Sequence, residues 1–291
     1  MASRTGFVYT ERFLDHKTGP GHPERPERLR AIVSHLKEVR LASILEPISI
    51  EPASEDWISK VHTPAHIRFV RETCLQGGIL DQGDTPVSKD SYEVALLAAG
   101  GVIAAVAAVL NGAMENAFCA VRPPGHHATR AESMGFCLFN NAAIGARYAQ
   151  AGHGLSRVAI VDWDVHHGNG TQEIFYEDKS VFYISTHQYP FYPGTGSRTE
   201  TGSGEGHCAP CRETATSCQR QGNACRSQSA PRGGQSGAGA SGGRTKSAKA
   251  NQTGPGGERS SDFRADRAPR IPVAGSETAP AGRFAAKIQS R

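Results

Sequence analysis

The stretch that most constrains the fold is residues 156–170, which read SRVAIVDWDVHHGNG. Residues 158–161 form a short apolar run rich in β-branched side chains, and such a run predicts a strand buried on both faces. Glycine and asparagine at residues 168–170 end the strand and open a loop. In an open α/β sheet, ligands bind outside the carboxyl ends of the strands. The stretch therefore predicts an α/β fold with a ligand site at this strand end.

Two polar side chains at this strand end are spaced so that they can act together. Asp164 and His166 are two residues apart, so on extended backbone both side chains point to the same side. A carboxylate and an imidazole that converge on one point supply half of a zinc site. The alternative is a charged strand end that forms surface hydrogen bonds, and this pair alone does not separate the two interpretations.

A second strand-like stretch ends in a pair of histidines. Residues 116–121 read NAFCAV and continue into RPPGHH, where two prolines and a glycine end the strand. His126 and His127 then stand at what is predicted to be another carboxyl strand end. A single imidazole there is compatible with a hydrogen-bonded core histidine, whereas a pair facing a metal-ligand strand is typical of acid–base catalysis.

Four stretches, taken in order, resemble one enzyme family. They are RPPGHH, MGFCLFNNAAIGA, VDWDVHHGNGTQEIF and YISTHQYPFYPGTG, and they lie within residues 122–196. With these motifs the chain resembles the zinc-dependent histone deacetylase family, which includes class II-like deacetylases and acetylpolyamine amidohydrolases. The resemblance runs from about residue 6 to residue 206. Asn169 stands where class I members carry aspartate, which favours the class II-like branch.

Strand-like and helix-like stretches alternate along the chain, which predicts a mostly parallel, doubly wound sheet. Helical spacing of apolar residues predicts an amphipathic helix at residues 26–39, and the apolar stretch 92–110 predicts a long helix. The resemblance implies the same α/β architecture, a three-layer arginase-like domain. Because the resemblance stops at residue 206, we expect this domain to be incomplete on its C-terminal side.

The resemblance also implies a reaction, the zinc-dependent hydrolysis of N-acetyl amides with release of acetate. The implied substrates are acetyl-lysine in histone-like or other proteins, or an acetylpolyamine. In the family, zinc polarises the acetyl carbonyl and activates a water. Asp164 and His166 match two of its ligands.

The paired histidines match the acid–base residues of the family. By position, His127 is predicted to be the main general base and acid, and His126 is predicted to assist electrostatically. Asp162 matches the partner that orients His126, and Asn169 matches the partner that orients His127. Such partners fix the tautomer and the pKa of an imidazole.

Four further residues match the walls and ends of the family's acyl tunnel. Asp84 matches a rim aspartate that holds the substrate backbone, with an ordinary turn aspartate as the alternative. Gly135 and Phe136 match a tunnel wall that grips the acyl-lysine stem, with a core phenylalanine as the alternative. Arg28 matches an arginine at the tunnel foot, near the acetate exit, with a surface salt bridge as the alternative. The aromatic residues of 187–192 match a loop near the pocket mouth.

The resemblance further implies two potassium sites. The residues that match the first site are Asp162, Asp164, His166, Ser185 and Thr186. The residues that match a second, weaker site are Phe175, Asp178 and Val181. Zinc and potassium are thus the two cofactors that the resemblance implies.

The composition changes abruptly after Gly206. Residues 1–206 contain 18 Lys and Arg against 23 Asp and Glu, whereas residues 207–291 contain 14 against 5. Residues 208–291 contain no Leu, Tyr or Trp, so they cannot bury enough apolar surface to offset their chain entropy. We therefore divide the chain into a deacetylase-like domain, 1–206, and a low-complexity tail without stable structure, 207–291. We favour a shifted reading frame in a GC-rich gene, or a gene fragment, as the explanation of this composition.

The tail sequence is compatible with two binding functions, zinc binding and nucleic-acid binding. The four tail cysteines follow the spacing CxxC-x6-C-x6-C, which is a weak zinc signature without supporting histidines. The excess of basic residues is compatible with a nucleic-acid-binding arm. A solvated tail is favoured over both, so we expect no nucleic-acid partner.

Two elements of the family mechanism have no match in the sequence. The family completes its zinc site with a second aspartate from a later strand and polarises the substrate with a late tyrosine, and neither motif occurs here. Asp262 and Asp266 lie in the tail, but no strand-like stretch precedes them. We therefore expect the chain to be an impaired enzyme. The alternatives are a non-catalytic remnant that binds acyl-lysine or a partner, and a nucleic-acid-binding protein.

The expected location is the cytoplasm. Residues 1–7 lack an apolar leader segment. Residues 96–110 are apolar but shorter than the roughly 20 residues of a membrane span, which favours a buried core helix and no membrane partner. Cys74, Cys119 and Cys137 have no disulfide spacing and are typical of a reducing compartment.

Overall fold

A computed structural model of the chain describes residues 4–81, 83–207 and 283–288. All of them belong to one compact unit, Met1–Ala224 with Pro280–Arg291. The four tail cysteines and the aspartates Asp262 and Asp266 lie outside the described residues. In chain order, the α-helices are α1 (Glu27–Glu38), α2 (Glu55–Ser59), α3 (Pro64–Gln76), α4 (Ser91–Leu110), α5 (Asn141–His153) and α6 (Asn169–Phe175). The strands are β1 (Thr5–Val8), β2 (Leu45–Pro47), β3 (Gly78–Ile79), β4 (Pro86–Val87), β5 (Asn116–Cys119), β6 (Arg157–Asp162), β7 (Val181–Ser185) and β8 (Arg283–Ile288).

Parallel strands form two of the three sheets. One has the order β2-β1-β5 and the other the order β7-β6-β8, and all their pairs are parallel. The third is a two-stranded antiparallel pair of β3 and β4. The predicted α/β class with parallel strands is confirmed. One continuous sheet was expected, but among the described residues β5 and β6 are not hydrogen-bonded to each other.

Local sequence signals explain where the helices begin and end. Thr63 precedes α3, its side chain accepts a hydrogen bond from His66 N, and proline occupies the first helical position. Asn140 caps α5 by accepting from Ala143 N at 3.1 Å. Gly154 ends α5 at φ 71°, a left-handed conformation that glycine adopts without strain. These caps fix the loops that carry the pocket residues.

Helix α4 lies in the core, as the sequence predicted. Twelve of its residues are buried, and it packs on α5, β1 and β5. Gly100 allows the closest approach, because a Cβ there would collide with the carbonyl oxygen of Glu51. Among the described helices, only α4 is long and apolar enough to span a membrane, and 56% of its apolar window is buried inside the protein.

Six residues of the predicted tail form a strand. Strand β8 pairs with β6 along its whole length, from Arg157 opposite Arg283 to Asp162 opposite Ile288. Strand β8 thus lies within the predicted tail, and the division of the chain at Gly206 stays a prediction. The physical reason for the strand is that β6 has two edges of backbone donors and acceptors, and pairing to an edge requires little apolar composition.

Five buried histidines make the fold sensitive to acid. Burial lowers the pKa of His62 and His127 to about 3 and of His16 and His167 to about 4, and it also lowers the pKa of His66. An unfolded chain protonates these side chains below about pH 6.5. Because the unfolded state then binds more protons, each histidine lowers the free energy of unfolding by up to about 1.4 kcal/mol per pH unit.

We therefore expect the free energy of unfolding, measured by urea denaturation, to fall steeply between about pH 6.5 and pH 4. The raised pKa of His126 does not oppose this fall, because below about pH 6.5 its imidazole is protonated in both the folded and the unfolded state. His35, whose side chain is 70% exposed, provides the control, because His35→Gln should leave the pH dependence unchanged. A free energy that stays constant down to about pH 4.5 contradicts this account.

Candidate active site

The carboxyl ends of β5 and β6 meet at one hydrogen bond. His126, in the loop after β5, places its Nδ1 2.9 Å from Oδ2 of Asp162, the last residue of β6. The backbone of the same loop is held as well, because Thr171 N donates to His126 O at 3.1 Å. The proline- and glycine-rich sequence RPPGHH makes the chain turn sharply here. The predicted histidine pair and the predicted metal-ligand strand therefore lie side by side.

Asp162 makes His126 the more basic of the two histidines. Burial alone lowers the pKa of His126, but the charge of Asp162 and its hydrogen bond outweigh burial and raise the pKa. Because a carboxylate only accepts hydrogen bonds, His126 Nδ1 carries a proton. This arrangement stabilises the imidazolium form of His126.

His127 has the opposite electrostatic environment. Burial, followed by the charge of the neighbouring His126, lowers the pKa of His127 to about 3. Its Nδ1 lies 2.8 Å from Oδ1 of Asn169, a neutral acceptor that fixes the proton on Nδ1. The two rings lie 4.0 Å apart, centroid to centroid. His127 is therefore neutral at pH 7 and keeps an unprotonated Nε2, which can accept a proton.

The predicted metal pair, Asp164 and His166, converges as the spacing indicated. Asp164 Oδ1 accepts from His166 N at 2.8 Å and lies 2.9 Å from His166 Nδ1. An oxygen and a nitrogen donor on one point suit zinc, which normally takes three protein ligands and a water in catalytic sites. The described residues contain no group of three His, Cys, Asp or Glu that could hold a metal. They fit a zinc ion only as two of its ligands.

These groups open into a cavity of about 390 Å³. The predicted residues that line it are Arg28, Asp84, His126, His127, Gly135, Phe136, Asp164 and His166. Pro23, Glu24, Pro124 and Tyr192 complete the lining. Asp162 and Asn169 stand behind the two histidines and contact them without lining the cavity.

Gly135 and Phe136 form one wall of the cavity. Both have positive φ angles, 56° and 70°. A Cβ at Gly135 would collide with Cδ2 of His127, so only glycine lets the wall lie against that ring. Phe136 is held from outside the cavity, with its N–H donating to Thr85 Oγ1 at 3.0 Å and its ring edge-on to His22 at 4.8 Å.

Asp84 stands at the cavity lining beside a second carboxylate, Asp81. Burial and the interaction with Asp81 raise the pKa of Asp84, whereas hydrogen bonds lower that of Asp81 to about 2. Asp81 Oδ1 accepts from the backbone N–H groups of Gly83, Asp84 and Thr85. Asp81 therefore supports the turn, and Asp84 is the carboxyl group of the pair that faces the cavity.

Arg28 lines the cavity and belongs to an ion-pair cluster around the buried carboxylate of Glu24. Glu24 is 1% exposed and receives two hydrogen bonds from Arg122, at 2.8 and 2.7 Å. Arg28 Nη1 lies 3.5 Å from the same carboxylate. Arg122 also donates to the backbone oxygens of Phe13 and His16. Arg28 thus forms a salt bridge, but with a buried partner, and its role at an acetate exit stays a prediction.

Tyr192 forms a second aromatic wall beside the histidines. Its ring is edge-on to His127 at 5.1 Å, and the neighbouring Phe191 stacks on His166 at 5.3 Å. The hydroxyl group lies toward Gly135. Asp84 contributes to raising the pKa of Tyr192, after burial, so the phenol stays protonated at neutral pH.

The residues that match the first potassium site lie together. Thr186 N donates to Asp162 O at 2.9 Å, and Ser185 pairs with Asp162 in the sheet. The residues of the second match, Phe175, Asp178 and Val181, lie near the opposite end of β7. Asp178 Oδ2 is 2.6 Å from Arg147 Nη1, so its carboxylate already has a cationic partner. Potassium binding at either place stays a prediction.

Three contacting residues were not predicted as site residues. Nothing in GPGHPERP distinguishes Glu24 from Glu27, because its importance comes from Arg122, 98 residues away. Tyr183 donates to Asp162 Oδ2 at 3.0 Å, but in the sequence it is one of several apolar strand residues. Tyr192 was predicted only as part of an aromatic loop, and its position against His127 depends on the fold.

The opposed pKa shifts generate a prediction at Asp162. Asp162→Asn should lower the pKa of His126, because burial then acts without the compensating charge. The measurement is the pH titration of the His126 imidazole by ¹⁵N NMR. Tyr183→Phe is the matched control, since it removes another hydrogen bond to Asp162 but keeps the carboxylate. An unchanged midpoint in Asp162→Asn contradicts the assignment.

Comparison with known proteins places these features in a family. The histone deacetylase domain matches residues 22–218, a range that includes every residue lining the cavity. A probable deacetylase of Archaeoglobus fulgidus is 47% identical over 204 residues, which are 69% of this chain and 56% of the relative. The histone deacetylase-like amidohydrolase of Pseudomonas aeruginosa is 42% identical over 226 residues, covering 71% of this chain and 59% of the relative.

A vertebrate relative and a solved structure agree with this placement. Polyamine deacetylase HDAC10 of Homo sapiens is 45% identical over 172 residues, 57% of this chain and 26% of that protein. The crystal structure of the HDA15 HD domain superposes with a TM-score of 0.68 at 43% identity, covering 71% of this chain and 61% of that one. The chain thus spans less than two thirds of each of these relatives. By the extent and identity of these matches, the chain belongs to the histone deacetylase family.

Proposed function

We propose that the cavity hydrolyses N-acetyl amides, which makes this chain a deacetylase of the amidohydrolase type. The observation that carries the proposal is the neutral imidazole of His127 beside the Asp164–His166 pair, within one cavity. A proton acceptor next to donors for a metal is what hydrolysis of an unactivated amide requires. The relatives named deacetylase or amidohydrolase support the same reaction.

The two histidines divide the proton chemistry. His127 is the general base, since its Nε2 is free to take a proton from the attacking water, and it then returns that proton to the leaving amine. Asp162 shifts His126 toward its cationic form, which stabilises the negative charge that develops on the substrate oxygen. Asn169 keeps His127 in the tautomer that this role needs.

Zinc is the cofactor that we assign to this site. When bound, zinc polarises the acyl carbonyl and acidifies a water. Asp164 and His166 would hold it through one oxygen and one nitrogen. Potassium at the residues around Asp162 is a further proposal, with a structural role near the end of β7.

The substrate class that we propose is an N-acetylated amine on a flexible chain, either acetyl-lysine or an acetylpolyamine. Phe136 and Tyr192 offer two aromatic walls to an aliphatic stem, and Asp84 offers a carboxyl group for an N–H or an ammonium group. The relative named polyamine deacetylase supports including polyamines.

We also propose that the chain is slow. Two zinc ligands are identified where catalytic zinc normally has three, which leaves the ion weakly held. The late tyrosine with which the family polarises the substrate also has no match in the sequence. The loss of one donor to the developing oxyanion typically lowers turnover by about 10²–10³-fold. Binding of acyl-lysine without turnover is the limiting case of this impairment.

The test uses the full chain and a chimera in which the segment after Gly206 is exchanged for that of the Archaeoglobus fulgidus relative. Turnover of an acetyl-lysine peptide and of N-acetylspermidine is measured with added zinc. We expect the chimera to be at least about 10²-fold faster. In the chimera, His127→Ala should lower turnover by about 10²–10⁴ and leave metal content unchanged. A chimera without turnover, or one that His127→Ala does not affect, contradicts the proposed function.

The metal assignment has its own test. Asp164→Ala should lower the zinc-to-protein ratio of the full chain after dialysis, because a charged ligand is lost. Asp178→Ala, which removes a carboxylate paired with Arg147 far from the cavity, is the control and should keep the ratio. An equal ratio in the Asp164→Ala variant and the unmodified chain shows that the metal binds elsewhere.

A further inference from the structure

A second pair of histidines, His62 and His66, is buried behind the cavity and takes no part in the proposed chemistry. The two side chains are 1% and 2% exposed, and their ring centroids lie 5.1 Å apart. His62 lies between α2 and α3, and His66 lies in the first turn of α3. Neither ring lines the cavity. Burying two imidazoles is costly unless they form hydrogen bonds, so their partners are informative.

Both rings bind the backbone at the end of one segment, residues 128–140, defined here as the wall segment. Asn140 N donates to His62 Nε2 at 2.9 Å, so His62 carries its proton on Nδ1. Leu138 O can only accept, so His66 Nε2, at 3.1 Å, carries the proton. The two neutral rings therefore hold opposite tautomers, one as acceptor and one as donor.

The wall segment connects this pair to the proposed general base. It begins directly after His127 and carries Gly135 and Phe136. Gly135 lies against the His127 ring so closely that a Cβ would collide with it. The Asn140 side chain closes the segment, since its Nδ2 donates to Ala128 O at 3.2 Å and to Thr171 Oγ1 at 3.0 Å. A shift of Asn140 therefore moves both ends of the wall.

We propose that His62 and His66 are positioning residues that set the conformation of the wall segment and thereby the placement of Gly135 and Phe136 against His127. They act by presenting one acceptor to Asn140 N and one donor to Leu138 O, which also accepts a hydrogen bond from Ser133 Oγ at 3.2 Å. The proposal rests on the function assigned to His127, but the contacts themselves do not depend on turnover.

The positioning role requires both imidazoles to be neutral, and their lowered pKa values support this. Burial, with a smaller effect of His66, lowers the pKa of His62 to about 3, and burial lowers the pKa of His66. A proton added to His62 Nε2 would face the N–H of Asn140, donor against donor. The lowered pKa values favour the neutral rings, which provide this one acceptor and one donor.

The test compares two neutral amides at position 62. In His62→Gln the amide oxygen reaches the place of Nε2 and still accepts from Asn140 N, whereas in His62→Asn it is too short. The full chain is labelled with ¹⁵N at its histidines, and the His127 imidazole signals are assigned by their loss in His127→Gln. Amide hydrogen exchange of the wall segment is measured on the same proteins. Neither readout requires turnover, so a failed deacetylase assay leaves this test intact.

We expect His62→Asn to shift the His127 imidazole signals and to speed exchange in the wall segment by roughly tenfold, the effect of one lost hydrogen bond. In His62→Gln we expect the His127 imidazole signals and the exchange rate of the wall segment to match those of the unmodified chain. If His62→Asn lowers stability but leaves the His127 signals and the wall segment unchanged, or if His62→Gln behaves like His62→Asn, the pair only fills the core. If His62→Asn does not fold, the same comparison is made at position 66. In His66→Gln the side-chain N–H still donates to Leu138 O, whereas in His66→Asn the side chain is too short to do so.

Discussion

The carboxylate of Asp162 is the group on which the site depends. It is fully buried, and it accepts hydrogen bonds from His126 Nδ1, Asp164 N and the Tyr183 hydroxyl. A buried carboxylate without such partners costs several kcal/mol, so the fold must bring all three donors to it. One donor comes from the loop after β5, one from the end of β6 and one from β7. The requirement to satisfy this one charge therefore joins the two parallel sheets at their carboxyl ends.

The same carboxylate separates the properties of two adjacent residues. His126 and His127 have identical side chains and rings 4.0 Å apart, yet the pKa of the first is raised and that of the second is lowered. The difference follows from their partners, a charged aspartate for one and the neutral amide of Asn169 for the other. Opposed pKa shifts of neighbouring titratable groups are the usual means by which a site divides the acid and base roles.

Local sequence patterns predicted those features that depend on neighbouring residues alone. The strand ends at β5 and β6, the pair Asp164 and His166, and the core helix α4 follow from periodicity, spacing and glycine or proline signals. Long-range contacts decided the rest. Glu24 is important because Arg122 lies opposite it, Tyr192 because its loop folds over His127, and β8 because β6 had an edge to pair. Composition alone did not indicate β8, because backbone pairing to a strand edge does not depend on apolar side chains.

We propose that the cavity receives an acetylated amine between Phe136 and Tyr192, next to His127. Saturation-transfer NMR of the full chain with an acetyl-lysine peptide tests it without requiring turnover. We predict strong saturation transfer to the acetyl methyl group of the acetylated peptide and no saturation transfer to the unacetylated peptide. In Phe136→Ala, the saturation transfer to the acetylated peptide should be lost. Phe69→Ala, at an exposed phenylalanine elsewhere on the surface, should retain it. Equal saturation of the acetylated and unacetylated peptides, or full saturation in Phe136→Ala, would contradict the account.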